Sequence, residues 1–259
     1  MKNFRHAIGY AVIMIMVGMC PIILSVLLTA LTGNKSLEII AMPICYLIGA
    51  VLCCFAAKLL HVETERHIAR TQTVTLMLAI AAGAAWALGD LYIVNRAALI
   101  SSTEETLAAS DYIAALITAT VSPAAEELIF RFGVLTLLMI GARGNKVKTA
   151  FAMAVSILPW MMLHFPKTAP RAIDIILTGI MLCMIYILSK NVFYSIAFHT
   201  AANAVTMFAA VNAGVFVSNQ WLLYPAVVIF AVSVIPMFIL LYKTGKDKAF
   251  QPMDTIKKI

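Results

Sequence analysis

Charged side chains are scarce in this 259-residue chain, at 12% of the total, where soluble domains carry roughly 25%. Apolar residues fill 63% of it, and the mean hydropathy is +0.96. So little polar surface excludes a soluble globule. Polar stretches are short as well: His61 to Thr73, Asn95 to Asp111 and the tail after Tyr242 are the longest. None is a linker that would separate domains, and no internal repeat or low-complexity tract is present. Cysteine is sparse. Cys20, Cys45, Cys53, Cys54 and Cys183 all fall within apolar runs, odd in number and without paired metal spacing. That excludes a disulfide framework and a zinc ribbon, and the five read as small apolar core residues. The sequence also lacks a G-x-S-x-G nucleophile elbow and an H-E-x-x-H zinc motif, and Ser195 has no convincing triad around it.

What is present is a series of long apolar runs. They extend over Ile8 to Leu31, Ile39 to Leu60, Val74 to Val94, Tyr112 to Ile140, Ala150 to Phe165, Ala172 to Ser189, Val192 to Ala213 and Trp221 to Tyr242. A helix needs about 20 apolar residues to cross a bilayer. Runs this long suit helices and not the alternating strands of a barrel. The expected fold is therefore an all-α, polytopic membrane bundle of about eight transmembrane helices. A single membrane domain covers residues 1–259, with its chemistry between about 111 and 213. The first run follows basic Lys2 and Arg5, but its apolar core exceeds the ~7–15 residues of a signal peptide, so it reads as the first span.

Basic residues set the expected orientation. With the N-terminus inside, the cytoplasmic segments carry Lys2, Arg5, Lys58, Arg66, Arg70, Arg143, Lys146, Lys148, Lys190, Lys243, Lys246, Lys248, Lys257 and Lys258. The opposite loops carry only Lys35, Arg96, Lys167 and Arg171. This asymmetry puts both termini in the cytoplasm after an even number of spans. It also accounts for the net charge of +7 through topology and anionic lipid, with no need of a nucleic-acid partner.

Against this background a few intramembrane polar residues stand out. Pro123-Ala-Ala-Glu126-Glu127-Leu-Ile-Phe-Arg131 places two acids and a base in the fourth run. Ionisable groups at membrane depth cost several kcal/mol each unless paired, and they commonly mark function. The run is too long for one straight span, about 45 Å at 1.5 Å per residue. Ser122-Pro123 suggests that a helix starts or restarts there, with Glu126 in a first turn favoured by the helix dipole. Glu127 and Arg131, four apart, share a face and can pair. Glu126 is turned by about 100° and points elsewhere, which leaves it free for chemistry. The three residues equally fit a buried clasp that holds helices together.

Two histidines fall inside spans, whereas His6, His61 and His67 lie in flanks. His164 ends the fifth run one turn after Trp160, and His199 and Asn203 are four apart in the seventh. Each alone fits a structural hydrogen bond between helices. Together, a Glu and two His in one wet pocket can hydrolyse a peptide bond without a covalent nucleophile. A carboxylate and one imidazole activate water, while the other imidazole and the amide donate to the developing oxyanion. Along the helices, Glu126 and His164 lie roughly 22 Å from the cytoplasmic ends and His199 about 12 Å. Tilt or a kink has to close that gap.

The three motifs, Glu126-Glu127-x-x-x-Arg131, Trp160-x-x-x-His164 and His199-x-x-x-Asn203, resemble the CAAX prenyl protease type II family, also called CPBP or Abi. The resemblance spans about Ser122 to Val205, and Trp160 stands where the family usually has Phe. It implies an intramembrane endopeptidase acting on membrane-associated peptide or protein substrates. Glu126 and His164 would activate water, His199 and Asn203 would form the oxyanion site, and Glu127 with Arg131 would shape the site. Relatives are associated with prenylated CAAX termini, bacteriocin maturation and self-immunity, and signalling-peptide processing. Some have lost catalytic residues and act as scaffolds, but all four catalytic positions are kept here. The compact size suggests a bacterial plasma-membrane protein. No cofactor is expected. Two alternatives remain at this point: zinc held by Glu126, His164 and His199, and a non-enzymatic immunity protein, scaffold or transporter.

Overall fold

The computed structural model describes residues 2–33, 35–60, 62, 71–94 and 109–245, and every regular element among them is helical. The helices are α1 (Lys2–Thr32), α2 (Lys35–Leu59), α3 (Thr73–Ile93), α4 (Ala109–Glu127), α5 (Thr136–Ala142), α6 (Lys146–Leu163), α7 (Ala169–Ser189), α8 (Val192–Val211), α9 (Ala213–Ser218) and α10 (Leu223–Gly245). Among the described residues, seven stretches are long and apolar enough to cross a membrane, on α1, α2, α3, α6, α7, α8 and at Gln220–Lys243. The remaining long run is a composite rod of α4, a π-helix over Leu128–Leu135, and α5. The protein is thus a polytopic helical membrane bundle.

Caps define the shorter spans better than hydropathy does. The Asn145 side chain accepts from Lys148 N and starts α6, and Thr168 accepts from Arg171 N ahead of Pro170 to start α7. Asn191 caps α8 through Phe193 N. Both short runs therefore begin earlier than their apolar residues indicate.

The bundle is arranged for lipid outside and polarity within. Leu24, Leu31, Phe55, Val228 and Ile235 face outward, while Glu126, Glu127, Arg131 and His199 are buried. Such an outer surface would be a liability in water but is ordinary against acyl chains. Four of the five cysteines are buried or half-buried, but Cys20 is exposed on the outer face instead of lying in the core. Of the charges counted for orientation, Arg66, Arg70, Arg96, Lys246, Lys248, Lys257 and Lys258 lie outside the described residues.

The restart anticipated at Pro123 does not occur. The α-helix runs through Pro123 to Glu127, and the irregularity follows the two glutamates. Glu126 is therefore near the C-terminal end of α4, so the helix dipole gives it no support. Proline is tolerated inside a membrane helix where neighbouring helices hold it, and α4 packs between α2 and α8. In the π segment the Thr136 N–H reaches the Arg131 carbonyl, five residues back. The Ser156 hydroxyl donates to Phe130 O at 2.9 Å and the Thr136 hydroxyl to Arg131 O at 3.3 Å, so side chains satisfy carbonyls along the widened turns.

One close approach positions the site. A Cβ on Gly83 of α3 would lie 2.1 Å from the Phe198 carbonyl oxygen, so only glycine lets α3 meet the α8 backbone beside His199. Small residues at helix contacts are the usual device for close packing in membranes. Ala79, Ala82 and Ala87 of α3 are buried too.

Candidate active site

The site is built from the end of α4 outward. Glu127 and Arg131 are fully buried, and Arg131 Nη1 stands 3.0 Å from Glu127 Oε1. The same oxygen is 3.0 Å from His199 Nδ1 of α8. A carboxylate paired with a guanidinium is ionised, so Nδ1–H donates to it. The guanidinium also leans on the Trp160 ring, 4.7 Å from its centroid. Its nitrogens make no aligned hydrogen bond among the described residues, so the attraction is of charge and not of directed bonding.

Glu126, turned about 100° away on the helix, reaches the other side of the same imidazole. Its Oε2 is 3.9 Å from His199 Nε2 and accepts the Trp160 Nε1–H at 2.6 Å. The Tyr46 phenol of α2 also faces this carboxyl. The offset expected to send the two acids apart instead places them on opposite nitrogens of one histidine. Glu126 is accordingly less free than its position in the sequence suggests.

His164 occupies the C-cap of α6. Its Nδ1 is 2.9 Å from the Trp160 carbonyl oxygen. A carbonyl only accepts, so Nδ1 carries the proton and a neutral ring keeps its lone pair on Nε2. The His164 ring meets Trp160 edge-on at 4.6 Å, and the His199 ring does so at 5.6 Å. Trp160, His164, His199 and Asn203 line one cleft of ≈ 50 Å³. Glu126 lies behind Trp160, in contact with two of these residues. The different depths counted along the helices are thus reconciled. His199 meets both glutamates directly.

Trp160 has more contacts than an aromatic spacer. It donates to Glu126, receives His164, underlies Arg131 and touches His199. Its indole N–H is something the usual Phe would not supply.

Sequence reading missed a second polar group at the mouth of the cleft. Arg171 Nη1 is 2.7 Å from Asp174 Oδ2 and 3.2 Å from Asp90 Oδ2, tying α7 to α3. All three line the same cleft. Asp90 and Asp174 lie inside apolar runs, so the cost argument that picked out Glu126 applies to them equally. Tyr46 carried no such signal, since a tyrosine in an apolar run is common.

No group of three His, Cys, Asp or Glu side chains among the described residues is disposed to hold a metal ion. The Glu126 oxygen nearest His199 already accepts an indole N–H.

Residues 108–205 match the family described as type II CAAX prenyl endopeptidase, Rce1-like, over less than half of the chain. No match to the chain was found among curated proteins or among solved structures. The matched segment holds all three motifs and each residue of the cluster around Glu126 except Tyr46. A family of membrane endopeptidases agrees with the seven apolar spans. Over residues 108–205 the chain is similar to the type II CAAX prenyl endopeptidase, Rce1-like family, the one that the motifs resemble.

Proposed function

We propose that this protein is a metal-independent intramembrane endopeptidase whose catalytic residues are Glu126, His164, His199 and Asn203. One observation carries the reading. His164, His199 and Asn203, from two helices, share a cleft of about one or two waters' size, with Glu126 of a third helix directly behind. Glu126 and the free Nε2 of His164 take the proton of a water as its oxygen attacks the peptide carbonyl carbon. The developing oxyanion accepts from His199 Nε2–H and the Asn203 amide. The proton then passes to the leaving nitrogen as the C–N bond breaks, giving a carboxylate and an amine.

Donation from Nε2 while Nδ1 donates to Glu127 requires a protonated His199. Glu126 and Glu127 on its two sides supply the compensating charge. Two carboxylates, one guanidinium and one imidazolium sum to zero, which suits a low-dielectric interior. Glu127 and Arg131 are positioning residues in this scheme, since they act through His199. Trp160 shapes the site by holding Glu126 and His164.

The substrates are membrane-associated peptides or proteins, reached by one membrane domain with both termini in the cytoplasm of a bacterial cell. Comparative peptidomics of membranes with and without the protein tests the reading. New peptide termini are expected only where it is present, and they should persist after chelator treatment. Their absence would contradict a protease, and their loss on chelation would revive the zinc alternative.

Asn203→Ala separates catalysis from packing. An oxyanion donor contributes in the transition state, so kcat is expected to fall about 10²–10³-fold with little change in KM. A helix-to-helix hydrogen bond would instead cost of order 1 kcal/mol of stability and leave turnover nearly normal. With activity normalised to folded, detergent-solubilised protein, a kcat within about threefold of wild type removes Asn203 from the catalytic set.

A further inference from the structure

The catalytic cleft, at ≈ 50 Å³, has room for a water or two at roughly 30 Å³ each and is too small for a large apolar side chain. Beside it, among α3, α7 and α10, lies a larger groove of ≈ 480 Å³. Apart from Asp90 and Asp174, every residue lining this groove is apolar or glycine. Those two aspartates and Trp86 are the residues that both spaces share. The junction is therefore an indole with a polar clamp next to it.

Trp86 is fixed in that place. Its Nε1–H donates to Thr178 Oγ1 at 3.0 Å, bridging α3 to α7. Its ring tilts against Phe230 of α10 at 5.5 Å and Phe198 of α8 at 6.5 Å. Phe198 immediately precedes His199. The indole is thus a partition, with the groove on one side and the cleft on the other.

We propose that Trp86 is a specificity-determining residue: the groove takes an apolar side chain of the substrate next to the scissile bond, and the Trp86 indole limits its size. This rests on the protease reading above. A peptide bond held against His164 and Asn203 must send its neighbouring side chain somewhere, and the groove is the larger space that shares Trp86, Asp90 and Asp174 with the cleft. The polar junction favours a peptide over bilayer hydrocarbon, since Asp90, Arg171 and Asp174 can meet backbone N–H and C=O groups. An acyl chain has no use for them.

The test is cleavage of a random peptide library in detergent micelles, with the residues flanking each cut bond read by mass spectrometry. Wild type, Trp86→Ala, Trp86→Phe and Thr178→Val are compared. In Trp86→Ala, bonds flanked by Phe or Trp should rise about tenfold or more over bonds flanked by Ala, at one subsite only, as expected for a changed apolar pocket. Trp86→Phe should shift the distribution less. Thr178→Val, which frees the indole without removing it, should shift it in the same direction as Trp86→Ala. General damage to the bundle would lower all cleavage and leave the distribution unmoved. If Trp86→Ala does not fold, Thr178→Val decides. Wild-type cleavage with the same residue distribution in every folded variant overturns the proposal alone and leaves the groove to lipid. A wild type that cleaves nothing overturns the protease reading and this proposal together.

Discussion

Glu126→Gln is expected to lower turnover by about 10²–10⁴-fold, the usual contribution of a general base. The protein should nevertheless accumulate in the membrane. A glutamine amide is nearly the same size, and its oxygen can still accept the Trp160 N–H that now reaches Glu126 Oε2 at 2.6 Å. What disappears is the basic lone pair and the negative charge 3.9 Å from His199 Nε2. Turnover of purified, folded variant protein is the measurement. Activity within tenfold of wild type would show that His164 alone suffices as base and that Glu126 belongs to the packing.

Arg131→Ala is expected to act on folding first. Removing one partner of a buried ion pair typically costs about 3–5 kcal/mol, because the other charge is left uncompensated. Here the stranded group is Glu127, with no exposure to water and, among the described residues, only His199 remaining as a partner. Truncation also removes the cation over the Trp160 ring. Low accumulation and a lowered thermal midpoint in detergent are the expected results. The double variant Glu127→Gln with Arg131→Met should recover much of that stability, since neutral replacements of similar volume dispense with both charges. Its turnover should stay low, because His199 Nδ1 would face an amide in place of a carboxylate. Normal accumulation of Arg131→Ala with only activity lost would contradict this division.

Hydropathy made the fold legible because the bilayer imposes so coarse a rule. A run of about 20 apolar residues has few alternatives in a membrane. The pairing of Glu127 with Arg131 was legible from helix spacing alone, as was the common side of His199 and Asn203. The behaviour of Pro123 was not, because the stop signal it gives in water weakens when neighbouring helices enclose it. A π segment has no spacing signature in one sequence, so the widened turns after Glu127 were invisible. The link from His199 to both glutamates was hidden for another reason. It depends on how α8 is seated, and that is set by Gly83 on a helix bearing none of the motifs. Asp90 and Asp174 were overlooked although the same cost argument covered them, since each stands alone in its run without a neighbouring partner to draw notice.

The π-helix between Glu127 and Thr136 gives the rod two azimuths. In an unbroken α-helix the direction of every side chain follows from that of any other, at about 100° per residue. Here that inheritance is interrupted. The part before the interruption aims its acids at α8, while the part after it packs against α1. A residue added to or lost from the widened turns would rotate one half against the other like a slipped gear tooth, with both halves still helical. Length within this segment is then a coordinate of the chemistry, and the rod can be retimed without changing any residue that touches water.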